Sequence, residues 1–329
     1  MQRTPSPITR RTKVVSMRQQ MPLFDSAAPS DEALSRGESF EANAIVSLPA
    51  PTHRSPRPTG RRKHMISFGW YGGKYSHLAW LLPLLPEAHH YCEPFGGSAA
   101  VLLNRVPSPV ETYNDLDGEV VGFFRVLREQ KGALIEAIGL TPFSREEFFD
   151  AVEALGQDAA ELTALERARR FFVRARQVRT GLAQTASLGR WANCKNTSRA
   201  GMGGAVSRWL GSVEGLPEIA ERLLRVQIEN RPALEVIRLY DSKNTLFYCD
   251  PPYPHESRGD AKAYGFELTN AEHRQLAACL HTIKSKAAVS GYRCDLIDDL
   301  YADWQVIEAP TKNCHSSKKP RTEALWVNY

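Results

Sequence analysis

From residue 66 the chain alternates between short apolar runs and segments of helical periodicity. Residues 75–85 read as a short helix, 89–93 as a strand, 97–104 as the opening of a second helix and 110–113 as a second strand. Val120, Val121, Phe123, Phe124 and Leu127 then share one face of an amphipathic helix that begins near Asp117. This β-α-β-α order predicts a parallel sheet covered by helices. The pattern breaks over 131–232, where helical, charge-rich sequence and a Gly/Asn/Ser-rich loop replace it. It resumes with the wholly apolar run at 245–249. Thr269 and Glu272 form a capping box that opens a helix to about 284, and a strand follows at 287–290. A helix at 295–301 leads to strands at 304–307 and 323–327, close enough in sequence to pair as a hairpin. The expected organisation is one α/β domain in two pieces, 65–130 and 233–329, with a helical domain inserted at 131–232.

Composition sharpens that division. Residues 1–64 are rich in Pro, Ser and Arg, lack sustained periodicity and end in Arg61, Arg62 and Lys63, which predicts a disordered basic extension. Its charges either add weak nonspecific attraction to nucleic acid or belong to an inert tail. Met65, where ordered sequence is expected to start, is an alternative initiation point. The formal net charge is +5, but the extension holds 11 Lys/Arg against 5 Asp/Glu, so the remainder, 31 basic and 32 acidic groups, is nearly neutral. Within that remainder, residues 167–208 carry ten Lys/Arg and no Asp or Glu. Such a run is either a helix face whose counterions lie elsewhere in the fold or the footprint of a polyanion such as DNA. No stretch reaches the roughly 18 apolar residues that cross a bilayer, and the N-terminus lacks the apolar core of a secretory signal, so a cytoplasmic protein is expected. The six cysteines form no CxxC pair, which predicts reduced thiols and neither disulfides nor a metal site. His273 and His281, eight apart on a predicted helix, are read as surface or packing residues.

Four constellations carry candidate chemistry. Asp250, Pro251, Pro252 and Tyr253 follow the apolar strand at 245–249 directly. They offer a carboxylate, a carbonyl held at a fixed angle by rigid prolines and an aromatic face, a set suited to a flat ring with an exocyclic amine such as adenine. Glu93, Pro94, Phe95, Gly96, Gly97 and Ser98 end one strand and begin a helix, where α/β folds bring a nucleoside cofactor against the sheet edge. The segment lacks the Gly-Lys-Ser/Thr of a phosphate loop, and Ala99 stands where a stricter pattern has a further glycine. Asp115, 18 residues beyond Gly97 at the next strand's end, is placed to accept from both ribose hydroxyls. Asn114 or Asp115 capping the next turn, and Asp117 as the ribose acid, remain alternatives. Trp70, Gly72, Gly73 and Lys74 supply a stacking or packing surface, close backbone approach and a cation that can meet a carboxylate, although a turn before a helix explains the glycines equally well.

The order of these segments resembles the Dam-type DNA adenine-N6 methyltransferases, which place target recognition between cofactor motif and catalytic motif. The resemblance covers about 66–329, and it extends to Ser290, Gly291 and Tyr292 and to the closing stretch at 321–326. It implies a Rossmann-like seven-stranded α/β sheet with an antiparallel strand, an inserted helical target-recognition domain, S-adenosylmethionine as methyl donor and no metal. Matched by motif, Trp70, Lys74, Asp115 and Asp250 would contact that cofactor, with Phe95 and Gly97 lining its pocket. Asp250 and the Pro251 carbonyl would accept from adenine N6, and Tyr253 would stack on the flipped base. Double-stranded DNA is the implied partner, which would bring the protein to the nucleoid, and the family admits a cognate restriction endonuclease beside it. Within the basic segment, Arg174, Arg176 and Arg179 on a helix and Arg190, Lys195 and Arg199 on or near the loop at 189–204 are the expected phosphate contacts. Trp191 is either a base reader or a core residue. The same chemistry on RNA adenine or cytosine N4, and an inactive DNA-binding module, are the alternative readings.

Overall fold

The computed structural model describes residues 64–157, 161–198, 201–257, 266–310 and 322–329. The expected extension, apart from His64, lies outside the described residues. Seven strands are present among them: β1 (His90–Glu93), β2 (Val110–Asn114), β3 (Val226–Glu229), β4 (Thr245–Cys249), β5 (Lys286–Tyr292), β6 (Gln305–Glu308) and β7 (Glu323–Val327). They form one sheet in the order β3-β2-β1-β4-β5-β7-β6. The first five are mutually parallel, and β7 runs antiparallel to both its neighbours, β5 and β6. The predicted terminal hairpin thus forms, and the chain has the Rossmann-like methyltransferase fold.

β1 and β4, at the centre of the sheet, are buried at every residue because both faces are covered. In β4, Leu246 and Tyr248 join one core cluster while Phe247 and Cys249 join the other. The period of two along a strand divides its side chains between two helical layers. The first cluster takes in α1 (Leu78–Leu81), α2 (Ala100–Asn104), α3 (Gly118–Glu129), α4 (Lys131–Leu140), α5 (Arg145–Gln157), α6 (Ala164–Gln177) and α7 (Gly204–Leu223). The second takes in α8 (Ala233–Tyr240), α9 (Asn270–Leu280) and α10 (Asp295–Leu300).

Local chemistry accounts for several boundaries. Asp117 caps α3 by accepting from Glu119 N at 2.9 Å, and Thr269 and Glu272 close the predicted capping box on α9. The helix expected over 75–85 is three short pieces: α1 is flanked by 3-10 turns at Lys74–His77 and Leu82–Leu84. Pro83, with no N–H to give, stands inside the second turn. α9 stops at Leu280, four residues early, where the Thr282 hydroxyl takes the Cys279 carbonyl at 2.8 Å.

Two features qualify the reading of 131–232 as an inserted helical domain. β3 comes from this stretch and forms a sheet edge, pairing in parallel with β2 from Glu111–Val226 to Asn114–Glu229. α6 packs on α3, where Phe123 and Phe172 stack with ring centroids 5.5 Å apart and Phe68 meets Phe123 and Phe171 edge-on.

Candidate active site

At the C-terminal ends of β1 and β4 the chain leaves the sheet in opposite directions, so β1 has β2 on one side and β4 on the other. Ligands of open α/β sheets bind at such a switch point. A cavity of about 260 Å³ lies there, lined by Trp70, Gly72, Gly73, Lys74, Phe95, Gly97, Asp115, Asp250 and Pro252, among others. All six expected cofactor residues are thus brought to one cavity from four separate sequence segments.

The glycine turn is dictated by neighbours that leave no room. A Cβ on Gly96 would lie 2.2 Å from Tyr113 Cε2, and one on Gly97 would lie 2.8 Å from Trp70 Cδ1. Gly97 also has φ of 48°. Its carbonyl accepts from Tyr113 OH at 2.7 Å, and its N–H donates to Asp115 Oδ2 at 2.7 Å. Ala99 is left-handed as well, at φ 55°, a conformation that costs an L-residue on the order of 1 kcal/mol. Its methyl group is fully buried, and that burial offsets the strain to a similar extent. The departure from glycine at this position therefore leaves the turn intact.

Asp115 projects from the end of β2 with both oxygens engaged, Oδ2 by Gly97 N and Oδ1 by Asp117 N at 2.8 Å. Burial raises its pKa to about 6 despite those bonds. Each carboxylate oxygen keeps a second lone pair, so the group retains capacity for two hydroxyls. The competing residues have other duties. Asn114 ties the strand ends together through Pro94 O, Arg231 O and Arg231 N, and Asp117 caps α3.

Asp250, directly after β4, sits in a tight polar cluster. Lys74 Nζ lies 2.6 Å from its Oδ1 and 2.7 Å from its Oδ2, and Ser290 Oγ donates to Oδ1 at 2.8 Å. Among the described residues Oδ2 meets only Lys74, which leaves it acceptor capacity. Lys74 also reaches Glu323 Oε1 at 3.3 Å. Burial opposes the charge on Lys74, but the two carboxylates outweigh it and raise its pKa above the ordinary lysine value. For Asp250, burial raises the pKa, Lys74 lowers it and Glu323 adds to the rise, so the balance lies above the ordinary carboxylate value.

Tyr253 occupies a different place from the one expected of a stacking residue. It is 4% exposed, its hydroxyl donates to Glu323 Oε1, and its ring meets Tyr292 edge-on at 5.0 Å. Lys74 Nζ stands 5.0 Å from the ring centroid. The ring is covered in this conformation, and Pro252 rather than Tyr253 lines the cavity.

Three cavity or cluster residues were given no role of their own by the sequence, although Glu93 opens the segment at 93–98 and Glu323 lies in the closing stretch at 321–326. Glu323 has just been placed. Gln184, on the 3-10 turn Ala183–Thr185, lines the cavity with its Oε1 buried and without a hydrogen-bond partner. Glu93 lines it too, accepts from Tyr91 OH at 2.7 Å and is pushed by burial up to about 8, against that bond and the charge of Arg105. The folded protein holds the Glu93 proton between pH 4.5 and about 8 while the unfolded chain releases it, so stability from this group is lost as pH rises through that window. Glu93→Gln keeps the neutral form. Its unfolding midpoint is expected to fall less than the wild type's across the same window, and parallel curves would remove the neutral assignment.

The basic segment divides into two populations. Arg174 is 4% exposed, bonded to Glu119 Oε2 at 3.2 Å and to Ala151 O at 3.2 Å. Arg176 donates to Ile66 O at 3.0 Å, and burial lowers its pKa to about 10. These two, expected to reach phosphate, are instead turned into the protein. Arg169 pairs with Glu147 and Glu166, and Arg170 with Glu166, so counterions from outside 167–208 neutralise much of the run. Arg179, Arg190 and Lys195 are exposed, and Arg199 lies outside the described residues. The bridge between Val178 and Trp191 sets Arg179 beside Arg190, with Arg179 N donating to Arg190 O at 2.6 Å. Trp191 is half-buried against Phe143 at 5.4 Å and donates to Gln177 Oε1 at 3.3 Å, which assigns it to packing.

Three of the cysteines, Cys92, Cys249 and Cys279, are buried free thiols, and His281 stacks on Tyr301 at 5.9 Å. Among the described residues no group of three or more His, Cys, Asp or Glu is arranged to hold a metal ion, and no helix is long and apolar enough to cross a membrane.

A search of curated proteins found no match to the chain. The family model for D12 class N6 adenine-specific DNA methyltransferases matches residues 70–314, from the first residue of the Trp70 segment to beyond β6. With the Trp70, Gly96-Gly97, Asp115 and Asp250 segments converging at the switch point of a seven-stranded sheet, the chain belongs to the D12 class N6 adenine-specific DNA methyltransferases.

Proposed function

We propose that this protein transfers a methyl group from S-adenosylmethionine to N6 of an adenine flipped out of double-stranded DNA, at a specific site. The observation that carries the reading is the meeting of Asp250, Lys74 and the Gly96-Gly97 turn in one cavity at the switch point. The donor set there suits the cofactor. Phe95, Leu234 and Leu276 offer apolar walls for a purine, Asp115 offers acceptors for ribose hydroxyls, and Gly72, Gly73 and Gly97 allow close backbone approach. When bound, S-adenosylmethionine supplies a methyl group activated by its positive sulfur.

The chain's own residues then have distinct tasks. Adenine N6 is a poor nucleophile because its lone pair is delocalised into the ring. Asp250 Oδ2 and the Pro251 carbonyl each accept one N6 hydrogen, which draws the amine toward tetrahedral geometry and localises that pair. Lys74 and Ser290 fix the Asp250 carboxylate in orientation, and Pro251 and Pro252 fix the backbone. Once nitrogen is methylated, its proton leaves to Asp250, whose raised pKa favours acceptance, or to water. For Tyr253 to stack on the base, its ring must first be uncovered.

Arg179, Arg190 and Lys195 are the described basic residues that support the proposal of phosphate contact by the segment 131–232. Arg179→Ala and Arg190→Ala are each expected to lower DNA affinity several-fold and to reduce the salt-dependence slope by about one, with the melting temperature unchanged. Arg174→Ala is expected to do the reverse, lowering stability with little change in the salt slope, because its partner Glu119 is internal. Equal effects of all three on the salt slope would dissolve the division. The setting proposed is cytoplasmic DNA, with a cognate restriction endonuclease as a further partner.

The test of the reaction uses tritiated S-adenosylmethionine, unmethylated duplex DNA and nucleoside analysis of the digested product. Label in N6-methyldeoxyadenosine is expected. Label in N4-methyldeoxycytidine overturns the base, and label only in RNA overturns the substrate. Absence of label from every substrate, with cofactor binding verified, supports the inactive DNA-binding alternative.

A further inference from the structure

Glu323 is the first residue of β7, opposite Tyr292 of β5. Because β7 runs against the parallel strands, its start lies at the sheet edge where β1 and β4 end. The side chain is 3% exposed, and its Oε1 meets both Lys74 Nζ and the Tyr253 hydroxyl. Tyr253 OH also stands 3.2 Å from Asp250 Oδ1, but a phenol has one proton and the closer contact to Glu323 takes it. The cluster therefore holds one ammonium, Lys74, and two carboxylates, Asp250 and Glu323. Ser290 and Tyr253 complete it without charge.

Packing alone does not ask for the second carboxylate. Lys74 and Asp250 already form a close bidentate pair, and a carboxamide at position 323 would accept from Tyr253 equally well. A surplus buried charge is costly unless something compensates it. We infer that Glu323 is a positioning residue whose charge makes the cluster net negative, so that the site favours a cationic sulfonium ligand over the neutral thioether left after methyl transfer. The inference rests on the reading of the cofactor as S-adenosylmethionine. Methyl transfer removes the positive charge from sulfur, so the same surplus that draws the donor in ceases to hold the product.

The test is titration calorimetry of the full-length protein with S-adenosylmethionine and with S-adenosylhomocysteine. Wild-type protein is expected to prefer the sulfonium, and Glu323→Gln to reduce that preference on the order of tenfold by weakening sulfonium binding. Tyr253→Phe, which removes the hydroxyl and keeps the charge, is expected to retain the wild-type ratio. Equal weakening of both ligands in E323Q assigns Glu323 a merely structural role and overturns the inference. So does a fall in the Y253F ratio as large as that in E323Q. Wild-type protein that binds both ligands equally overturns it without any variant, whereas wild-type protein that binds neither removes the cofactor reading itself.

Discussion

Asp250→Ala is expected to lower the single-turnover rate of methyl transfer on the order of 1000-fold or more while duplex affinity stays within about twofold of wild type. The argument is geometric. Asp250 Oδ2 meets only Lys74 among the described residues and keeps acceptor capacity, and without it the N6 amine has only the Pro251 carbonyl to orient its lone pair. The variant should also fold. Removing one partner of a buried ion pair is usually costly because the other charge is stranded, but Lys74 keeps Glu323 at 3.3 Å and the Gly72 carbonyl at 2.8 Å. Asp250→Asn is the stricter comparison, since it keeps the shape and one acceptor but turns an amide N–H toward Lys74 or the substrate amine. It should lose most of the rate as well. A turnover comparable to wild type in either variant refutes the catalytic assignment of Asp250, and loss of DNA binding in parallel with rate would point to misfolding instead.

What could be read from the chain beforehand was what is local. Asp250, Pro251, Pro252 and Tyr253 lie contiguous after an apolar strand, and Gly96 and Gly97 lie between β1 and α2, so their placement needed only the strand ends to be located. β3 was not visible because an edge strand of four residues, with only Val226 fully buried, gives too short an alternation to register against flanking helices. Glu323 was hidden for another reason. Its partner Lys74 is 249 residues away, and no spacing rule links the start of an antiparallel strand to a lysine after a glycine turn. The basic run misled in part because the charge count stopped at residue 167. Glu166 pairs with Arg169 and Arg170 one residue outside that window, and Glu119 and Glu147 reach the segment from α3 and α5. Exposure, which separates Arg179 and Arg190 from Arg174, is set by the packing of α6 on α3 and cannot be counted from charge alone.

Glu111→Ala is expected to give the largest loss of stability of any single substitution considered, about 3–5 kcal/mol. Glu111 lies in β2, is 1% exposed and is gripped by Arg222 of α7, with Nη1 at 2.6 Å from Oε2 and Nη2 at 2.8 Å from Oε1. Arg225 stands 3.6 Å away, Arg105 3.8 Å away, and Ser108 N donates to Oε1 at 3.1 Å. The one carboxylate thus serves three guanidiniums, two of them buried at 8% side-chain exposure. Deleting it leaves Arg222 with the Leu102 carbonyl and Arg105 with the Tyr91 ring and Ser108, and takes from both the carboxylate they share. In a domain of this size the corresponding drop in melting temperature is on the order of 10 °C. Glu111 begins the stretch of β2 whose far end carries Asn114 and Asp115, so cofactor affinity measured well below the unfolding transition should be nearly unchanged. The double variant Glu111→Leu with Arg222→Met should recover part of the loss, since an apolar pair can replace a buried ion pair once both charges are gone. A single variant that melts within about 2 °C of wild type would show that water or backbone movement satisfies the three arginines, and that this junction does not hold β2, α7 and the α2–β2 connection together.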